Sequence, residues 1–171
     1  GGTTLTLNQI AFLVMGAAAL FGAVGVVFFR SPVRAALSLV INFFVLGLIY
    51  FMLGSQMLGI SQIMVYAGAI MVLFLFVVMM LRDDGKTDKP QTQEGRFLVG
   101  LVASLAIAAI TYASVISPHM GTTGEKFDRI YGTPQAIGTV LFTQYVWPFE
   151  VISILLLVGI VGSIMLAKRK F

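Results

Sequence analysis

Apolar residues along this chain come in long unbroken runs rather than alternating with polar ones. Four runs stand out at once, at residues 10–29, 35–53, 60–81 and 97–116, and a fifth covers residues 149–167. A helix that crosses a bilayer needs about 20 mostly apolar residues, or about 30 Å at 1.5 Å per residue. Each run has that length. No water reaches the bilayer core to satisfy exposed backbone groups, so the pattern predicts five transmembrane α-helices. The fold class read from the pattern is an all-α integral membrane protein, a single membrane domain over residues 1–171. The first run has no basic flank or obvious cleavage site before it, and it is read as a span rather than a removable signal.

The connections differ from one another. Arg30-Ser31-Pro32-Val33-Arg34 is a tight basic turn. Residues 54–59 are short and uncharged, and 82–96 is a polar loop. Residues 117–148 form the longest connection, rich in Gly and Thr, with Tyr131, Tyr145 and Trp147 suited to the membrane–water boundary. Lys and Arg distribute unevenly over these segments. One side of a five-span arrangement carries the 30–34 turn, the 82–96 loop and the Lys168-Arg169-Lys170 end, with nine basic residues. The other side carries only Lys126 and Arg129. Positive charge is retained on the inner face of membranes, so the N-terminus is expected outside and the C-terminus inside.

Composition narrows the chemistry. The chain is 58% hydrophobic and only 11% charged, where soluble domains carry about 25% charged residues. The net charge of +4 is accounted for by the inner loops without invoking a nucleic acid. There is no Cys and one His, His119. Thiolate-held clusters, zinc-thiolate sites and paired haem ligands are therefore excluded from this chain alone. None of the five apolar runs contains Asp, Lys, Arg or His; Glu150 lies at the mouth of the fifth. Ion carriers and proton relays usually need such groups within the membrane. No internal repeat of the transporter kind is visible either, which disfavours a stand-alone carrier.

The third run is the informative one. A regular helix would align Tyr66, Ile70, Leu73 and Val77 on one face. Gly68 sits between Ala67 and Ala69, so a neighbouring helix could approach closely there. The same glycine could also permit a change of hydrogen-bond register, because inserted residues that make a π-bulge are often found at functional sites. In the second run Asn42 reads as an interhelical hydrogen-bond donor, worth about 0.6 to 2 kcal/mol in membranes. Glu150 follows Trp147-Pro148-Phe149 and reads as an acid near a helix start.

Residues 65–81, beginning Val65-Tyr66-Ala67-Gly68-Ala69-Ile70-Met71, closely resemble the third helix of the subunit J family of NADH-quinone oxidoreductase, respiratory complex I, which includes the mitochondrial ND-six-like subunit. Residues 34–46, 148–158 and 161–164 look like the same family. The fourth run and the 117–147 loop add little to the resemblance. It implies a five-helix, non-catalytic subunit of a proton-translocating redox enzyme, beside the quinone-reacting region. It further implies that the third helix carries a π-bulge, expected between about Tyr66 and Phe74 and convertible to regular helix, which opens or closes a hydrated proton route. Carried over by position, Tyr66 and Gly68 are the foremost coupling residues, followed by Val72 and Phe74; Asn42 and Glu150 are secondary candidates. No cofactor is expected on this chain. NADH, FMN, iron–sulfur clusters and quinone would be used on other subunits. Implied partners are the quinone-site subunit, small neighbours of the A, H and K type, and lipids, with no nucleic acid. A bacterial inner membrane is the expected location, in preference to the mitochondrial one. A structural subunit of a related cation-antiporter or hydrogenase complex is the alternative.

Overall fold

The computed structural model describes residues 6–81, 94–117 and 129–168. Among them the chain is helical throughout, and five helices are long and apolar enough to cross a membrane. They are α1 (Leu7–Phe28), α2 (Pro32–Met52), α3 (Gln56–Met80), α4 (Glu94–Thr111, prolonged as a π turn over Tyr112–Ile116) and α6 (Val146–Ala167). Each starts three or four residues before its apolar run. The reason is local: a helix begins at its cap and uses a polar or Pro-containing first turn before the apolar stretch starts. Thr6 precedes α1, with its N–H donating to Gln9 Oε1 at 3.0 Å, and Pro32 stands in the first turn of α2.

A sixth helix was not read from the sequence. Within the 117–148 connection, α5 (Pro134–Thr143) follows a short 3₁₀ turn over Arg129–Gly132. Thr133 caps it, its side chain accepting from the Ala136 N–H, and Pro134 occupies the first turn. Thr-Pro before an apolar stretch is the signal that could have disclosed it. At 10 residues it is too short to span.

The chain divides into two compact units, one of residues 1–81 with 128–171 and the other of residues 82–127. In the first, α1 packs along α2, α2 packs along α3, and α5 touches the start of α3 and the start of α6. Small residues set these contacts. A Cβ added to Gly22 would lie 3.1 Å from Asn42 Cβ, so α1 and α2 approach at backbone distance. Across that seam Ser38 Oγ donates to the Gly22 carbonyl at 2.7 Å, and Asn42 Nδ2 donates to the Ala19 carbonyl at 3.1 Å. Elsewhere the hydroxyls fold back on their own helices, as Ser153 does to the Phe149 carbonyl and Ser163 to that of Ile160. This satisfies them in an apolar medium.

The turn between α2 and α3 is nearly minimal. Gly54 adopts a φ of 81°, which residues bearing a Cβ rarely take. Its N–H donates to the Phe51 carbonyl, and the Ser55 N–H reaches the Tyr50 carbonyl at 3.0 Å. These two bonds form a Schellman cap that closes the end of α2 and redirects the chain. Gly132 rests on this turn. Its nearest neighbours are the Gly54 carbonyl and Ser55 Cα, which leave no room for a side chain.

In the second unit, α4 is exposed along its described length. Its terminal π turn ends with the Ser117 N–H donating to the Tyr112 carbonyl. Nothing in the sequence pattern announces that turn.

Candidate functional site

The third helix changes its winding midway. Gln56–Ser61 is α-helical, Gln62–Ile70 is π-helical, and Met71–Met80 is α-helical again. The wider register closes with the Met71 N–H donating to the Tyr66 carbonyl, five residues back. Departures of this kind are rare and frequently mark functional sites. The sequence raised such a departure for residues 66–74. It begins four residues earlier and ends at Ile70, so Val72 and Phe74 stand just beyond it in regular helix.

A spacing explains where the wider coil falls. Gly59, Ile63, Ala67 and Met71 all face the inside of this unit; Gly59, Ala67 and Met71 are buried and Ile63 half-buried. They recur every four residues. In a pure α-helix a four-residue step overshoots one turn by about 40°, so a four-residue stripe soon rotates off the contact face. A π coil turns less per residue and cancels the drift. The third helix thus keeps one stripe against α2 by inserting wider turns. The same change breaks the alignment of Tyr66, Ile70, Leu73 and Val77 that a uniform helix would give.

The residues around the π segment fit this arrangement. Ala67 is buried, whereas Tyr66 is 46% exposed. The Tyr66 ring meets the Phe43 ring of α2, centroids 5.7 Å apart and planes inclined at 59°. A Cβ on Gly68 would meet the Ile63 carbonyl at 3.1 Å, the position five residues back. A groove of about 330 Å³ opens beside it, lined by Val40, Ile41, Phe44, Ile63, Ala67 and Gly68. Gln62, at the first position of the π segment, is a buried polar side chain.

The structure does not bring all the candidates together. Tyr66, Gly68, Val72 and Phe74 share α3. Asn42 is on α2 and bonds toward α1. Glu150 is exposed on α6. The helix there starts at Val146, so Glu150 is its fifth residue and the first turn contains no acid. The helix dipole acts chiefly within that first turn, which removes most of the helix-start role given to Glu150. Among the described residues no three Asp, Glu, His or Cys side chains are grouped to hold a metal ion. His119 lies outside the described residues.

Known proteins share this sequence over nearly its full length. A subunit J of NADH-quinone oxidoreductase from Escherichia coli is 35% identical, over 95% of this chain and 88% of its own. Subunit J of an F(420)H(2) dehydrogenase from Methanosarcina mazei is 33% identical, over 98% and 95%. A chloroplastic NAD(P)H-quinone oxidoreductase subunit 6 from Physcomitrium patens is 30% identical, over 96% and 86%. The family described as NADH-ubiquinone/plastoquinone oxidoreductase chain 6 matches residues 22–166. With the whole of the second, third, fourth and fifth helices inside that match, the chain belongs to the NADH-ubiquinone/plastoquinone oxidoreductase chain 6 family.

Proposed function

We propose that this chain is a membrane-arm subunit of a proton-pumping NADH-quinone oxidoreductase, and that its third helix couples quinone reduction to proton translocation by changing register. The observation that carries the reading is the π segment Gln62–Ile70 set between two regular α-helical stretches. Removing the extra residue from such a segment rotates everything beyond it by about 100°. Val72 and Phe74 follow directly and would swing with that rotation. Apolar side chains can open or shut a water path without bearing charge. Tyr66 and Gly68 lie within the segment that rewinds.

The relatives carry names with three electron donors, NADH, NAD(P)H and F(420)H(2). A subunit shared among enzymes with different donors has no need to recognise the donor. This supports leaving NADH and the FMN that takes its electrons to other subunits, and the absence of Cys supports the same for iron–sulfur clusters; quinone belongs in this reading to the quinone-site subunit. The partners in this reading are the quinone-site subunit and its neighbours of the A, H and K type. The location is a bacterial inner membrane with the N-terminus outside, an orientation supported by the basic residues of the 30–34, 82–96 and 168–170 segments. The F(420)H(2) relative favours a second reading, a subunit of a related complex with another donor module. Purification through this chain separates the two, since the first requires NADH oxidation by the captured assembly.

The mechanistic test is Gly68→Val in the complete complex. A branched side chain 3.1 Å from the Ile63 carbonyl crowds the π register, so the variant is expected to favour regular helix. It should assemble, yet pump fewer protons per quinone reduced. High-resolution maps of the wild-type complex in resting and turnover states complete the test. One unchanged ladder over residues 62–74 in every state would remove the switch.

A further inference from the structure

We infer that Phe43 is a positioning residue which holds the third helix in its wider register by seating the Tyr66 ring. The inference rests on the proposed register change and adds to it the element that sets its balance point.

Phe43 occupies a fixed place on α2. One residue before it, Asn42 is bonded to the Ala19 carbonyl of α1. Four residues after it, Gly47 is pressed against α3, where an added Cβ would lie 2.5 Å from Ile63 Cγ1. Phe43 therefore stands between two points at which α2 cannot move freely. Its ring is presented to α3 by a held backbone.

Tyr66 has the opposite character. It lies inside the π segment, beyond the Gly59 anchor where α3 meets α2 closely. Ala67, Gly68 and Ala69 follow it and supply almost no side chain to grip a neighbour. The groove beside Ala67 and Gly68 leaves that stretch loosely filled. Over residues 66–69 the Tyr66 ring is thus the one large group that can feel α2, and Phe43 is the ring it meets. Loss of the extra residue upstream would turn Tyr66 by up to about 100° while Phe43 stays where it is. The ring pair exists in one register and is broken in the other. A contact made in only one of two states shifts their ratio by its own strength.

The test uses the complete complex with Phe43→Leu, Phe43→Tyr, Tyr66→Leu and the double leucine variant. The readout is the ratio of i→i−5 to i→i−4 bonding over residues 66–71 among particles of the resting enzyme. Phe43→Leu should shift the ratio toward regular helix by about 2- to 10-fold, the range of an aromatic pair. Phe43→Tyr keeps a ring and should retain the wild-type ratio, which a purely volume-filling role does not require. The double variant should go no further than either single one, because both remove the same contact. Should Phe43→Leu fail to accumulate, Tyr66→Leu carries the test from the other ring. If wild-type enzyme shows both registers and neither leucine variant alters their ratio, the role of Phe43 is overturned while the switch stands. If the wild-type enzyme shows one register in every state, the switch falls and Phe43 with it.

Discussion

Gly47 and Gly59 face each other where α2 meets α3, and a Cβ on Gly59 would lie 3.0 Å from the Gly47 carbonyl oxygen. The same Cβ would lie 2.8 Å from the Phe51 ring. Backbone cannot yield as a side chain can. Gly59→Val is therefore expected to separate the two helices at a cost of about 1–3 kcal/mol, the usual penalty of overpacking. The amount of this chain recovered in membranes should fall several-fold. Wild-type levels, measured by immunoblot against an unrelated membrane protein, would contradict the close packing.

Gly132 makes an even tighter contact, against the backbone of Gly54 and Ser55. Gly132→Ala should undock the Arg129–Gly132 turn, and protease cleavage near residue 130 should become faster. Gly138, on α5 a few residues later, has open space where a Cβ would stand. Gly138→Ala should change cleavage little and slightly favour the helix, since Ala replaces a residue about 1 kcal/mol poorer in helix propensity. Equal effects at both positions would refute the docking.

The chain contains no Cys, so orientation is open to single-cysteine labelling without background. Asp88→Cys is expected to react with an impermeant maleimide only from the inside, and Lys126→Cys only from the outside. The prediction comes from the uneven distribution of Lys and Arg. The opposite pattern in sealed vesicles would reverse the orientation.

Glu150 is exposed and lies past the first turn of α6. Glu150→Gln should keep most quinone reductase activity and most proton transport. Loss of transport from a normally assembled complex would assign this carboxylate a role that the present geometry does not.

Hydropathy alone locates the five spanning helices, because a run of about 20 apolar residues has few other stable fates in a membrane. It misplaces their starts, since caps are polar. It misses α5, whose Thr133-Pro134 start is a local signal buried in a connection that reads as loop. Gly68 between two alanines marks the third helix as unusual, but the extent of the π segment is decided elsewhere. It follows from keeping Gly59, Ile63, Ala67 and Met71 on α2, a requirement visible only once the partner face is known. Ser38 reads as one more small residue in an apolar run, whereas its hydroxyl bridges α2 to the Gly22 carbonyl. Phe43 is likewise one of 14 phenylalanines until its ring is seen against Tyr66.

The three-residue turn Leu53-Gly54-Ser55 also bears on biogenesis. Its ends are neighbours in sequence, so closing it demands little loop entropy. Such local pairings form fast. The α2–α3 hairpin can close as soon as Met71 has left the ribosome and the insertion machinery, before the fourth spanning helix is made. It would then wait in the bilayer with its contact to α2 already formed and its opposite face, from Met64 to Met80, uncovered. The subunit would join its assembly as a finished hairpin offering one naked side, so the order of synthesis along the chain becomes the order of assembly in the membrane.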